Sequence, residues 1–495
     1  MSTEAGAGEG GYVHELFRAA AEARPEAVAV TDDRGRWTYE DLDLMAGRLR
    51  GWLAERGVGY GDRVLAALPA GACLIALWNA CCRSGAILVP ISPTARPYQL
   101  RAILAEVEPR LTVVPAELAD SVPDPVLPEE LLDLPGPVPD LRSDPHPTAL
   151  LMFTSGSSAV PKGVVCPHRA VLFAAQAIAR RLEYREDDVV YCLIPLSFDY
   201  GLYQAILSAM AGCELVVEPP PPPAGLLDRL AAHRATVVPL VPRQAEVLAW
   251  FASRREAPPT VRLFTFTGAP MAVRTLDALR RGFPSAAVSV MYGLTECKRI
   301  SMTRPGSGQE WDGSAGTAVD GTEIAVLVDG RRSSVPGRTG EIVVAGPHLM
   351  DGYWRRPDLT ERRFRRDPET GTRWLHTGDE GFFDEGGGLH ILGRLDATFS
   401  HHGVRISAEE IEAAAMDVPG VRGAALLPPA ADRDPMVLFA VSELPTAHIL
   451  RELRDRVGAE RTPQECHVVA ELPLNERGKL DRRTLRGLLR GLLNC

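Results

Sequence analysis

The chain reads as a layered α/β protein of two or more domains, a reading that rests on hydrophobic periodicity and on length. Helical spacing of apolar residues runs from Leu42 to Arg56 and again from Leu74 to Ser84. Each stretch is followed by a short unbroken apolar run, Val64-Leu65-Ala66-Ala67-Leu68 and Ala86-Ile87-Leu88-Val89-Pro90. Only a strand covered on both faces dispenses with polar alternation, so helices alternating with such runs predict a parallel sheet between helical layers. At 495 residues the chain exceeds one typical hydrophobic core, and 45% hydrophobic residues are ample to fill more than one.

Composition removes several classes of function. A net charge of −10 argues against a nucleic-acid partner. No apolar run reaches the roughly 18 residues of a membrane span. The acidic stretch Met1 to Gly11 lacks the basic and apolar regions of a signal peptide. The nine cysteines are an odd number without CxxC spacing, scattered singly apart from Cys81-Cys82, and fit reduced core thiols of a cytoplasmic protein. Pro123 to Pro147, rich in proline and acid, reads as a surface connection, and the prolines Pro219 to Pro223 as a stiff exposed spacer. Glycine- and arginine-rich β-like segments lie between Trp311 and Arg356, and the sequence has no internal repeat.

Only three of the 54 basic residues are lysines: Lys162, Lys298 and Lys479. In a chain that otherwise uses arginine, these mark places for a compact, flexible ammonium. Lys162 ends the run Leu151-Met152-Phe153-Thr154-Ser155-Gly156-Ser157-Ser158-Ala159-Val160-Pro161-Lys162-Gly163, a strand-like segment opening into hydroxyls and glycine. Such a loop converges N–H groups and hydroxyls on phosphate oxygens, unless it is only a Ser/Gly turn. It is not a Walker A loop, because the order here is Lys-Gly and another apolar run follows. Lys479 lies in Pro473-Leu474-Asn475-Glu476-Arg477-Gly478-Lys479-Leu480-Asp481.

Together these segments resemble the adenylate-forming superfamily of acyl-CoA synthetases, non-ribosomal peptide synthetase adenylation domains and luciferases. Tyr292-Gly293-Leu294-Thr295-Glu296, Gly268-Ala269-Pro270, His376-Thr377-Gly378-Asp379 and Gly393-Arg394-Leu395-Asp396 match further motifs in the family's order, and the likeness runs from Trp37-Thr38-Tyr39-Glu40-Asp41-Leu42 and Gly61-Asp62-Arg63-Val64 to Lys479. The resemblance implies a large domain over residues 1–393 that binds ATP and an acid, with a smaller barrel-like subdomain. A small mobile α+β domain over 394–495 would follow, pivoting at Asp396. It implies nucleotide contacts from Thr154, Ser155, Gly156, Ser157, Ser158, Lys162, Gly268, Ala269, Pro270, Tyr292, Gly293, Asp379 and Arg394. Thr295, Glu296 and Lys479 would be catalytic, with Glu296 on Mg2+ and Lys479 bridging the acid to the α-phosphate. The expected activity is that of a stand-alone ligase, forming an acyl-adenylate and passing the acyl group to a phosphopantetheine thiol on a carrier protein or coenzyme A.

Departures from the family pattern define the questions. Ser158-Ala159 stands where Thr-Gly is common, and alanine resists positive φ. Phe399-Ser400 replaces a common Ile-Lys on the segment that meets the acceptor, which keeps an amide-forming ligase with an amine acceptor open. A nucleotide-binding relative without turnover is the third reading, disfavoured by retention of Lys479, Glu296, Asp379 and Arg394. His401-His402 reads as no metal site, with Glu409, Glu410 and Glu412 forming an acidic first helical turn. Phe198-Asp199-Tyr200 resembles the segment where an aspartate pairs with an amino-acid ammonium, Asp199 being otherwise a helix cap. With Met291, Lys298 and Arg299 these residues border the acyl pocket in relatives. The two cations either receive an anionic group of the substrate or pair with surface carboxylates, the second being the favoured expectation.

Overall fold

The computed structural model of the chain describes residues 11–132, 134–135, 144–154, 161–268, 271, 273–306, 313–394, 398–402, 404–429, 434–473 and 482–493. Ser155, Gly156, Ser157, Ser158, Ala269, Pro270, Asp396 and Lys479 therefore lie outside the described residues. Two compact units form: Met1–Thr94, Glu106–Phe153 and Gly163–Gly393 make one, and Ala95–Ala105, Thr154–Lys162 and Arg394–Cys495 the other.

The predicted helices form as Tyr39–Glu55 and Ala72–Ser84. The first starts at a capping box. The Thr38 hydroxyl accepts the Asp41 N–H at 3.1 Å and the Asp41 carboxylate accepts the Thr38 N–H at 2.9 Å, so the Thr-Tyr-Glu-Asp wording serves a helix start. Ala72–Ser84 ends at Gly85, in the left-handed conformation with φ 73°. The apolar runs become Arg63–Ala66 and Ile87–Pro90, paired in parallel with each other, and Arg63–Ala66 also pairs in parallel with Leu111–Val113.

A nine-stranded sheet carries most of the larger unit. From Val28–Asp32 its neighbours run in parallel through Glu214–Val216, Val189–Tyr191, Val237–Leu240 and Leu263–Phe266 to Ala287–Tyr292. Antiparallel strands Gly35–Thr38 and Ser301–Met302 extend its two ends. The β-rich segment is longer than the sequence indicates. Its antiparallel sheet includes Glu323–Val328, Arg331–Ser333, Gly340–Ala345, Phe364–Arg366, Arg373–Phe383 and Leu389–Arg394, running well past Arg356. In the second unit, helices Ala408–Met416 and Thr446–Val457 cover strands Val421–Leu427, Val437–Ser442 and Glu465–Val468 around a core that includes Ile411, Leu426, Leu438 and Leu453. Among the described residues no helix is long and apolar enough to cross a membrane.

Buried histidines make stability depend on pH. Burial, with nearby cations adding to it, holds His14 at about 3, and burial holds His168 and His348 at about 4. His168 Nδ1 accepts the Val13 N–H at 3.0 Å, which a neutral ring can do and a doubly protonated one cannot. That N–H opens helix Val13–Ala23 and has no acceptor within the helix. The unfolded chain protonates these rings near 6.5, whereas the folded chain waits until about 4, so falling pH favours the unfolded state across that window. One group shifted this far removes on the order of 3 kcal/mol. We expect the urea midpoint of the wild type to drop continuously between about pH 7 and about pH 4, and that of His168→Phe to start lower and fall less steeply. Equal slopes in the two proteins would refute a titrating role for His168.

Candidate functional site

Strands Leu263–Phe266 and Ala287–Tyr292 lie side by side in parallel, with Phe266 opposite Val290. In an open α/β sheet, the crevice beyond such carboxyl ends is where ligands collect. Gly268 follows the first strand with φ 98°, a conformation glycine adopts freely. Tyr292 ends the second, and Gly293 permits the fold-back after it, since a Cβ there would lie 1.8 Å from the Lys298 carbonyl oxygen. The turn closes through Lys298 N–H to Leu294 O at 2.6 Å and Ile300 N–H to Tyr292 O at 2.8 Å. Lys298 itself takes φ 60° while buried, a left-handed conformation that costs a non-glycine residue about 1 kcal/mol or more.

One side of this turn carries the residues expected to meet nucleotide. The Tyr292 hydroxyl donates to Asp379 Oδ2 at 2.6 Å. Burial, reinforced by the Asp379 charge, pushes the phenol pKa well up, so the group stays a donor. The Asp379 N–H donates to Thr377 Oγ1 at 3.1 Å, and that hydroxyl donates to the Ile342 carbonyl at 2.7 Å. The Gly378 N–H donates to Glu341 Oε1 at 3.1 Å. Glu296, 9% exposed, follows Thr295 in the same turn and accepts the Tyr353 hydroxyl on Oε1 at 2.6 Å. A lone hard carboxylate suits Mg2+, which draws its remaining ligands from water and phosphate. Among the described residues no group of three or more His, Cys, Asp or Glu could hold a metal ion by itself.

The other side gathers buried charge. Lys298 is 1% exposed, with Nζ 3.7 Å from Asp199 Oδ2, 3.7 Å from Cys166 Sγ and 5.5 Å from the centre of the Tyr203 ring. Arg299 is 6% exposed, donates Nη1 to the Lys298 carbonyl at 2.9 Å and lies 5.0 Å from the Tyr200 ring centre. Its Nε is buried without a hydrogen-bond partner among the described residues. The Tyr200 hydroxyl donates to the Thr265 carbonyl at 2.7 Å, tying helix Asp199–Ala211 to the central sheet. Gly201 lets that helix approach, because a Cβ would meet the Pro195 carbonyl oxygen at 2.4 Å. Met291 is buried in its strand, whereas Phe198 is 53% exposed.

Two expectations are corrected by this geometry. Asp199 is not a helix cap: Phe198 holds the N-cap position, with no side-chain capping bond, and Asp199 begins the helix. Lys298 does not pair with a surface carboxylate, because both it and its partner Asp199 are withdrawn from solvent. Other expected residues are spread along neighbouring elements. Thr154 closes strand Thr148–Thr154, Lys162 opens strand Lys162–Pro167, and Arg394 closes strand Leu389–Arg394. Sequence reading passed over Cys166, Thr265 and Tyr353. Tyr203 had a signal, since it stands four residues after Asp199 on one helix face; the others are brought in by tertiary packing.

Comparison with known proteins identifies the family. The family described as AMP-binding enzyme matches residues 17–354. The phosphinothricin tripeptide synthetase PhsC of Streptomyces viridochromogenes is 32% identical over 495 residues, covering 96% of this chain, which spans 45% of that synthetase's length. The 4-coumarate–CoA ligase 2 of Oryza sativa is 27% identical, covering 96% of this chain and 92% of its own. The crystal structure of VinN is 38% identical with a TM-score of 0.71, covering 78% of this chain and 99% of VinN. A complex of VinN with L-aspartate is 37% identical, with a TM-score of 0.70 and the same coverage. Motif order, strand-end geometry and these matches agree, and the chain belongs to the AMP-binding enzyme family, within the adenylate-forming superfamily of AMP-forming ligases.

Proposed function

We propose that the chain activates an amino acid bearing a second carboxylate, forming its acyl-adenylate with release of pyrophosphate from ATP, and passes the acyl group to a phosphopantetheine thiol. The observation that carries this reading is the cluster of Asp199, Lys298 and Arg299, two buried cations against one half-buried carboxylate. An excess buried positive charge is costly unless an anion arrives to balance it. A substrate ammonium on Asp199 and a carboxylate on Lys298 and Arg299 gives each group a partner, and the second carboxylate of an amino dicarboxylate brings the one negative charge that offsets the excess cation. Because Asp199 Oδ2 and Lys298 Nζ are 3.7 Å apart, the two substrate groups they bind sit close together on the carbon frame. The carboxylate that reacts is then a further one, as in an aspartate-like acid. The likeness to VinN, which has been crystallised with L-aspartate, supports this class.

Adenylation joins two anions, so cations must stabilise the charge that grows as pyrophosphate leaves. We assign Lys479 to bridge the acid and the α-phosphate, supplying both orientation and charge. Tyr292 and Asp379 take the adenosine end, with Thr295 and the loop of Thr154, Ser155, Gly156, Ser157, Ser158 and Lys162 on the phosphates. Glu296 holds Mg2+, which would neutralise phosphate charge when bound. Residues 1–393 thus serve nucleotide and acid, and 394–495, pivoting at Asp396, bring and withdraw Lys479. The acceptor thiol belongs to a carrier protein or to coenzyme A. An amine acceptor is the second reading, favoured only by Phe399-Ser400 on the post-hinge segment.

ATP–pyrophosphate exchange across amino dicarboxylates, neutral amino acids, aryl acids and fatty acids tests the class. We expect exchange with an amino dicarboxylate, reduced on the order of a hundredfold or more in Lys479→Ala. Exchange confined to aryl or fatty acids would defeat the proposal, and adenylate formed but discharged only to amines would replace the thiol with the second reading.

Substitution within the trio tests how the acid is held. Asp199→Asn and Arg299→Ala should each raise KM for the acid by roughly tenfold or more while leaving KM for ATP unchanged. Parallel increases for both substrates would remove these residues from acid recognition.

A further inference from the structure

Glu296 is held by neighbours that the adenylation reading does not use. Tyr353 ends strand Gly352–Tyr353, and its hydroxyl reaches Glu296 Oε1 at 2.6 Å with both residues more than nine-tenths buried. A phenol beside a carboxylate donates its one proton to one oxygen, which sets the carboxylate's rotation. Arg363 ends helix Pro357–Arg363 and donates Nη2 to the Thr377 carbonyl at 2.6 Å. Its charge also reaches the phenol: burial and Glu296 push the Tyr353 pKa up, and Arg363 pulls it part of the way back.

The strand and the helix are tied together by a hydrogen bond and close packing. The Tyr353 N–H donates to Thr360 Oγ1 at 2.9 Å. Gly352, at φ 129°, leaves room for this helix, because a Cβ there would lie 2.3 Å from Thr360 Cγ2. Thr377, which Arg363 grips, is the residue whose hydroxyl accepts the Asp379 N–H. One short connection therefore runs from the Glu296 carboxylate through Tyr353 and Arg363 to the strand carrying Asp379.

We propose that Tyr353 and Arg363 are positioning residues, Tyr353 fixing the Glu296 carboxylate toward the metal ion that accompanies ATP and Arg363 keeping Tyr353 in register with the Thr377–Asp379 segment of strand Arg373–Phe383. The proposal rests on the assignment of Glu296 to magnesium. Groups that hydrogen-bond a metal-binding carboxylate commonly contribute tenfold to a hundredfold in metal affinity, so the effect is large enough to measure.

The test is Mn2+ binding to the full chain in the presence of a non-hydrolysable ATP analogue, read from the EPR signal of free Mn2+, with the Tm of every variant. Tyr353→Phe is expected to weaken Mn2+ by about tenfold or more, without raising KM for the acid. Arg363→Met should weaken it as well, and Arg363→Lys should restore most of the loss. If Glu296→Gln weakens Mn2+ while Tyr353→Phe and Arg363→Met do not, the positioning role is overturned and the metal assignment stands. If Glu296→Gln leaves Mn2+ binding unchanged, the metal assignment itself fails. Losses that merely track Tm across the variants assign both residues a structural role and overturn the proposal, and should Tyr353→Phe not fold, the Arg363 pair carries the test.

Discussion

The parallel pairing of Leu263–Phe266 with Ala287–Tyr292 is the constraint on which the site depends. It aligns two strand ends, so Gly268 and Tyr292 emerge at the same edge of the sheet. From Tyr292 the chain has seven residues in which to leave the sheet, turn and return at Ile300, whose N–H closes on the Tyr292 carbonyl. That turn is tight enough to exclude any side chain at Gly293 and to drive Lys298 into a left-handed conformation. Glu296 and Lys298 then project from one small loop with different neighbours, Tyr353 for the first and Asp199 for the second. On the proposed reading, nucleotide chemistry and acid recognition are thereby coupled through a single backbone feature.

Burial of charge on the acid side is hard to explain as stabilisation. Withdrawing an ammonium and a carboxylate from water costs several kcal/mol per ion, and their attraction rarely returns more than that. Here the separation of 3.7 Å is looser than a direct hydrogen bond, and Arg299 adds a second cation with an unmet donor. Apolar residues of similar volume would fold at least as well. On the proposed reading, a trio that is expensive in the empty protein and offset by an amino dicarboxylate, which carries one net negative charge, has the energetics of a recognition site, where desolvation is retained for the ligand.

Much of the architecture was legible because its signals are local. Helical spacing located Tyr39–Glu55 and Ala72–Ser84 to within a few residues, and the apolar runs marked the parallel strands. The wording around Tyr292 and Asp379 drew attention to residues that the fold joins by a hydrogen bond. What escaped reading depends on long-range packing. Cys166, Tyr353 and Arg363 are apart from the motifs in sequence, and nothing in their own neighbours announces the groups they meet. Lys298 was placed at the pocket border but expected to pair at the surface, because in Glu296-Cys297-Lys298-Arg299 it sits among charges, and only the fold-back at Gly293 turns it inward. The Trp-Thr-Tyr-Glu-Asp segment, matched as part of a family pattern, proved to be a capping box with a wholly structural reason for its residues.

Lysine usage follows from the same geometry at the one lysine of the acid side. The space around Lys298 Nζ is bounded by a carboxylate, a thiol and an aromatic face. A compact ammonium with rotatable donors is satisfied by one carboxylate and the π-face of Tyr203, whereas a guanidinium carries five donors in a fixed plane and would bring more unmet hydrogen bonds than these walls can accept. Arginine occupies the next position, where one donor finds the Lys298 carbonyl and the planar head lies against Tyr200. The two adjacent cations therefore divide the work by shape. Lys298 faces Asp199 at 3.7 Å, and Arg299 presents the wider fork suited to a carboxylate.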